Sequence, residues 1–166
     1  LSQNSEKRLL DAKFSKFYSS TPELKDLMAH SKYVGSPVPL EDQFNYQFLI
    51  DIDGHGCTYS RLYWILGSGA LCLKQTSNLV QWYYPGLEDG GNLVYFKRDN
   101  SNLEDLLDYF KKHPDEAETI AKRARDFFHQ YLNPTFQMAY LTRVLKIYAE
   151  LYNGHSDVLA KIGSSQ

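Results

Sequence analysis

Asp53-Gly54-His55-Gly56 and Arg61 are the residues whose types and spacing best suit chemistry. Glycine lets the chain turn sharply and lets a ligand approach the backbone closely. The glycines here follow an apolar run (Phe48, Leu49, Ile50, Ile52) and precede a helical pattern from Thr58 to about Leu66. A helix starting there aims free N–H groups and the positive end of its dipole at the turn, where a phosphate would bind. Arg61 lies about one turn into that helix. The macrodipole disfavours a cation at this position, which suggests an anionic partner such as a diphosphate held by the planar guanidinium fork. The plain alternatives are an ordinary βα turn and a surface arginine paired with Asp51 or Asp53. The pattern is not GxGxxG, and it lacks the lysine of a P-loop.

Other residues border the same place. His55 could donate to a sugar hydroxyl or a phosphate, or be a polar turn residue. Gln75, Thr76 and Ser77 follow a second strand-like run and could hydrogen-bond a ribose or cap a following helix. Tyr59 and Trp82-Tyr83-Tyr84 could stack on a base or sugar, or belong to the core. Asp51 and Asp53 are expected on opposite faces of the strand, so they do not make a glycosidase-type pair. His55, Cys57, His113, His129 and His155 show no metal-ligand spacing. Cys57 and Cys72 read as small apolar thiols rather than a disulfide or metal pair.

These residues need a scaffold, and the order strand, glycine turn, helix, strand is that of a βαβ unit. Ligands of such units sit beyond the carboxyl end of the strand. The first strand spans the run before Asp53, and the second covers Ala70 to Leu73 after a Gly67-Ser68-Gly69 break. Leu79 to Tyr84 reads as a short helix stopped by Pro85-Gly86. Leu93 to Phe96 reads as a third strand. Ser101 with Glu104 reads as a capping box, opening a helix that buries Leu103, Leu106, Leu107 and Phe110. Pro114 and Pro134 each stand at the first position of a further helix, the latter after Asn133 as cap. Ile120, Ala124, Phe127 and Tyr131 stripe the first of these, and Lys122, Arg123 and Arg125 form its solvated face. Tyr140, Val144, Ile147 and Leu151 stripe the second, with Gly154 as terminator. The expected fold is α/β, a Rossmann-like parallel sheet flanked by helices. Residues 1–40 form an N-terminal helical segment, 41–154 the Rossmann-like domain and 155–166 a flexible tail.

Composition narrows the classes. The 166 residues suit one domain, and thirteen Tyr make it rich in aromatics. A formal charge of −2 gives no basic field for nucleic acid. No apolar run reaches the length of a membrane span. The chain begins at Leu1 without a secretory leader, which reads as a piece of something longer. Asn133-Pro134-Thr135 carries the proline that excludes N-glycosylation, so no acceptor site favours a secretory history.

The stretch Tyr46 to Gln75, YQFLIDIDGHGCTYSRLYWILGSGALCLKQ, with Thr76-Ser77 and then WYYPGL, resembles the signature of glycosyltransferase family 90. The likeness runs from about Glu6 to Tyr152. The family holds bacterial lipopolysaccharide sugar transferases, fungal capsule-associated proteins and eukaryotic KDEL-motif protein O-glucosyltransferases. The resemblance implies a GT-B transferase, with two Rossmann-like halves around the donor, of which this chain is similar to the C-terminal, donor-binding half. By that likeness Gly56, Cys57, Thr58, Tyr59, Ser60 and Arg61 grip the diphosphate of a UDP-sugar. Asp53 and Gly54 match the entry to that loop, and Arg8 matches an upstream arginine that also reaches the donor. Gln75, Thr76, Ser77 and Trp82 would border ribose and base. Transfer would be metal-independent and need no cofactor beyond the donor, with basic side chains neutralising the leaving diphosphate. The acceptor would be a hydroxyl of a glycan, a lipid-linked glycan or a protein. The carboxylate that activates it would lie in the N-terminal half of the same polypeptide. Asn92-Leu93-Val94-Tyr95 stands where the family carries an aromatic-His-Tyr stretch. The bacterial likeness implies the cytoplasm, with peripheral attachment to the inner membrane; the eukaryotic one implies the ER lumen. The alternative to an enzyme is a non-catalytic nucleotide-sugar-binding or interaction module of the same fold.

Overall fold

The computed structural model describes residues 21–23, 26, 31 and 34–163, with side chains as far as residue 153. Arg8 and nearly all of the expected N-terminal helical segment lie outside the described residues. In chain order the elements are α1 (Leu40–Gln43), β1 (Phe48–Asp51), α2 (Ser60–Ser68), β2 (Leu71–Gln75), a 3-10 turn (Tyr84–Gly86), β3 (Val94–Phe96), α3 (Leu103–Lys112), α4 (Pro114–Tyr131) and α5 (Pro134–Gly163). The strands form one parallel sheet in the order β1-β2-β3. Phe48 faces Leu71 and Asp51 faces Lys74 across the first pair, and Leu73 faces Val94 across the second. The fold is therefore the Rossmann-like α/β arrangement that the alternating pattern predicts.

Side chains alternate across the sheet and build a core on each face. On one face Leu49 and Cys72 meet Leu62, Ile65 and Leu66 of α2, whose i, i+3, i+4 spacing makes one apolar stripe. On the other, Leu71, Leu73, Val94 and Phe96 meet Leu103, Leu107 and Phe110 of α3. Helix α4 serves both: Ala117 and Ile120 join the second core and Ala124 the first. Tyr63 of α2 donates its hydroxyl to the carbonyl of Leu132, and Gln137 donates to that hydroxyl at 2.8 Å. The start of α5 is thus tied to α2.

Several local expectations change. Helix α2 does not break at Gly67 but runs to Ser68 and ends at Gly69, whose φ of 85° is the left-handed cap conformation. Gly67 serves packing instead, since an added Cβ would lie 3.1 Å from the Phe128 ring. No helix spans Leu79 to Tyr84; the chain there is irregular and closes with the 3-10 turn. The run is too short for several i→i−4 bonds before Pro85 removes a donor. The capping box at Ser101 does not form. Helix α3 begins at Leu103 behind Asn102, whose Oδ1 accepts from the Lys97 N–H at 2.8 Å. Pro114 opens α4 as expected, and Asn133 caps α5 by accepting from the Phe136 N–H at 2.9 Å. Gly154 does not stop α5, which continues to Gly163. Its stripe of Tyr140, Val144, Ile147 and Leu151 is exposed.

Candidate functional site

The site lies at the carboxyl ends of β1 and β2, on the face covered by α2. Its floor is ionic. Lys74 is fully buried, and its Nζ donates to Asp51 Oδ2 at 2.8 Å and to both oxygens of Asp53 at 3.3 Å. Asp51 and Asp53, expected on opposite faces, converge on one ammonium. Residues two apart in extended chain project to the same side, so the expectation misapplied the strand's alternation. Ser77 Oγ donates to Asp53 Oδ2 at 2.5 Å. Burial pulls the Lys74 ammonium down, but the hydrogen bond and charge of Asp51, with the charge of Asp53, outweigh it and hold its pKa above the usual lysine value. The Lys74 Nζ also stands 5.2 Å from the centroid of the Tyr84 ring. Asp51 Oδ1, Thr58 Oγ1 and the hydroxyls of Tyr83 and Tyr84 are buried without a hydrogen-bond partner among the described residues.

Above this floor the chain turns from β1 into α2. Gly54, His55 and Gly56 are exposed, and a Cβ added at either glycine would meet no heavy atom within 4 Å. Packing therefore gives no reason for glycine at these two positions. Tyr59 precedes the helix with φ 48° and ψ −114°, a strained conformation for a non-glycine residue, and its side chain is 88% exposed. A cleft of about 540 Å³ opens here against the helix N-terminus, lined by Gly56, Cys57, Tyr59, Ser60 and Gln81. Gln81 also lines a neighbouring cleft of about 740 Å³, whose polar floor includes Lys74, Thr76 and Ser77 and whose wall includes Trp82, Tyr95 and Tyr140. Trp82 stacks on Tyr140 of α5, with ring centroids 4.7 Å apart. Among the described residues no carboxylate lines either cleft.

The predicted residues divide as follows. Gly56, Cys57, Tyr59 and Ser60 line the first cleft, and Thr76, Ser77 and Trp82 the second. Thr58 is half-buried beside them. Asp53 is in the ionic floor. Arg61 is exposed on α2, on the same side of the sheet, but lines neither cleft. The alternative that pairs it with Asp51 or Asp53 does not hold among the described residues, where Lys74 makes the ion pairs to both. Gln75 turns away from the clefts and donates to Arg98 O at 3.0 Å and Asn100 Oδ1 at 2.9 Å. Thr76 Oγ1 donates to Phe96 O at 2.9 Å. No helix follows for these residues to cap. Of the aromatic triplet, Tyr83 and Tyr84 are core, though Tyr84 also borders the second cleft, and Trp82 is the exposed member. Cys57 and Cys72 are free. Among the described residues no three metal-binding side chains cluster.

Lys74 and Tyr140 escaped sequence reasoning. The sequence places Lys74 in a polar loop after a strand ending at Leu73, but β2 runs on to Gln75, and a lysine buried in a strand demands carboxylate partners. Tyr140 gave none beyond a helical stripe.

A three-stranded parallel sheet with two clefts at its strand ends defines a Rossmann-like α/β unit. Comparison with known sequences then places it: the chain belongs to glycosyl transferase family 90, whose profile matches residues 1–162. It is 28% identical over 110 residues to the O-glucosyltransferase LpsA of Dichelobacter nodosus, covering 66% of this chain and 34% of that protein. To human protein O-glucosyltransferase 3 it is 30% identical over 151 residues, 91% of this chain and 29% of that protein. To human protein O-glucosyltransferase 1 it is 25% identical over 162 residues, 93% of this chain and 40% of that protein. The chain thus spans about a third of the length of these relatives.

Proposed function

We propose that this chain is the donor-binding part of a glycosyltransferase that takes a UDP-sugar and passes the sugar to a hydroxyl of a protein or glycan acceptor. In this reading it is the C-terminal half of a GT-B enzyme. The observation that carries the proposal is the pair of adjoining clefts joined at Gln81. A nucleoside diphosphate has two chemically different ends, and the clefts differ in the matching way. The first lies at a helix N-terminus with open space where side chains are missing, which suits phosphate oxygens, although the Tyr59 and Arg61 N–H groups already donate to Cys57 O and Thr58 O. The second offers hydroxyls on its floor and the stacked Trp82–Tyr140 wall, which suits ribose and a flat base. Arg61 stands near the first with no carboxylate partner among the described residues, and a side-chain swing brings its fork to the diphosphate. The names of relatives support glucose as the sugar and protein as one acceptor.

In transfer, negative charge builds on the leaving diphosphate. Preorganised N–H groups and a guanidinium stabilise that charge more than the ground state, which lowers the barrier. In this reading the transfer is metal-independent. Melting of the chain with UDP, UDP-glucose and inorganic phosphate tests the reading. UDP and UDP-glucose are expected to raise the melting temperature and phosphate not to. Arg61→Ala should remove about 1.5–3 kcal/mol of binding, the size of a charge-assisted pair. No shift with either nucleotide at millimolar concentration overturns the proposal, and a shift unchanged in Arg61→Ala removes Arg61 from it.

A further inference from the structure

We infer that Lys74 is a positioning residue, which acts through Asp53 to hold the β1–α2 turn in the shape that receives the donor diphosphate; the inference rests on the reading of that turn given above. Lys74 is placed by strand register: it faces Asp51 across the β1–β2 pair, one step short of the turn. Its ammonium spans from Asp51 inside the sheet to Asp53 at the head of the turn. Asp53 is gripped from a second direction by Ser77, which follows β2. Within residues 53–56 no other side chain among the described residues hydrogen-bonds to the sheet or to the segment after β2. The remaining bonds there are internal, such as Gly54 N–H to Gly56 O at 3.1 Å. Two glycines with open space where a Cβ would stand leave the segment free to change shape, so its shape depends on how its ends are held, and Asp53 is the end tied to the sheet.

The cost of the arrangement argues for a purpose beyond stability. Three charged groups are withdrawn from water, and apolar side chains of the same volume commonly stabilise a fold as well or better. Lys74 spends its donors on two carboxylates, which leaves it poorly placed to serve as a direct phosphate ligand. Preorganising amides is where such a tether contributes, because an anion site whose donors are already aimed loses less on binding.

Lys74→Met strands two buried carboxylates and is a harsh change, so Ser77→Ala and Asp53→Asn are made beside it. Two quantities are read on the whole chain: the UDP dissociation constant by calorimetry, and hydrogen exchange of the amides of residues 54–60 against those of β3. The expected result is that Ser77→Ala weakens UDP about threefold or more and Asp53→Asn about tenfold. In both, exchange at 54–60 accelerates while β3 is unchanged. Normal UDP affinity and unchanged exchange in both variants overturn the inference while the donor site stands. Affinity lost with exchange unchanged also overturns it, because Asp53 or Ser77, which lines the second cleft, then touches the ligand directly. If the unaltered chain does not bind UDP, the donor site falls, and Lys74 is left as a tether of the fold alone.

Discussion

Arg61 and Lys74 show how differently two cations can be used within one site. Arg61 stays in water near a helix N-terminus, where the dipole disfavours it and a bound anion would relieve the penalty. Lys74 is buried, and its charge is neutralised by Asp51 and Asp53 before any ligand arrives. The buried groups around it also govern the response to alkali. Burial pushes the Cys72 thiol and the Tyr83 and Tyr84 phenols above their usual values, and Lys74 is raised as well. A group raised in the folded state contributes stability that is complete below its unfolded pKa and is lost as pH climbs towards the folded value. Stability should therefore be level up to about pH 8.5, where the unfolded thiol ionises, and then fall by up to about 1.4 kcal/mol per pH unit for each such group. Urea unfolding between pH 7 and 11 measures it. Cys72→Ala should delay the onset to about pH 10, where Lys and Tyr begin. An unchanged onset refutes the assignment to Cys72.

At the level of elements, the glycines divide by purpose. Gly69 ends α2 in the left-handed region, so Gly69→Ala should cost about 1 kcal/mol. Gly86 lies in the 3-10 turn against α4, and an added Cβ would stand 2.5 Å from the Phe127 ring. Gly86→Ala is expected to cost about 1–3 kcal/mol by overpacking, read as a lower denaturant midpoint at constant slope. Gly54→Ala, with open space around it, should leave the midpoint within about 0.5 kcal/mol of the parent. A large loss there would show that the turn is built on glycine for folding and not for access. The irregular crossover from β2 to β3 also follows from local chemistry, since a helix cannot carry past Pro85. That irregular path sets Trp82 against Tyr140 and leaves Tyr83 and Tyr84 inside.

At the level of the whole molecule, the chain is about a third of the relatives it matches. The two clefts hold donors, aromatic faces and hydroxyls, but among the described residues no carboxylate lines them, and Asp51 and Asp53 are committed to Lys74. A hydroxyl acceptor needs a base within reach to take its proton. We therefore expect this chain to bind UDP yet transfer sugar poorly, and transfer to rise in a polypeptide that carries the further length of the relatives. Release of UDP from UDP-glucose, followed with and without that further length, decides it. Transfer by the 166-residue chain alone at the longer protein's rate would end the division of labour proposed here.

The order strand, glycine turn, helix, strand was readable from residue spacing, as were the parallel sheet, the starts of α4 and α5 at their prolines and the place of the turn. Each depends on neighbours within a few positions, where backbone sterics and hydrophobic period act directly. The capping box at Ser101 misread a local competition, because Asn102 was already engaged with Lys97. The stop at Gly154 was overruled because one glycine costs a long helix only about 1 kcal/mol. Only the tertiary structure decided that Lys74, Asp51, Asp53 and Ser77 meet, that Arg61 is left free of them, and that Tyr140 forms a wall with Trp82. Those outcomes depend on which residues of separate strands and helices come to lie opposite one another. Charge pairing and stacking act over a few ångströms of space, and the intervals along the chain do not encode that distance.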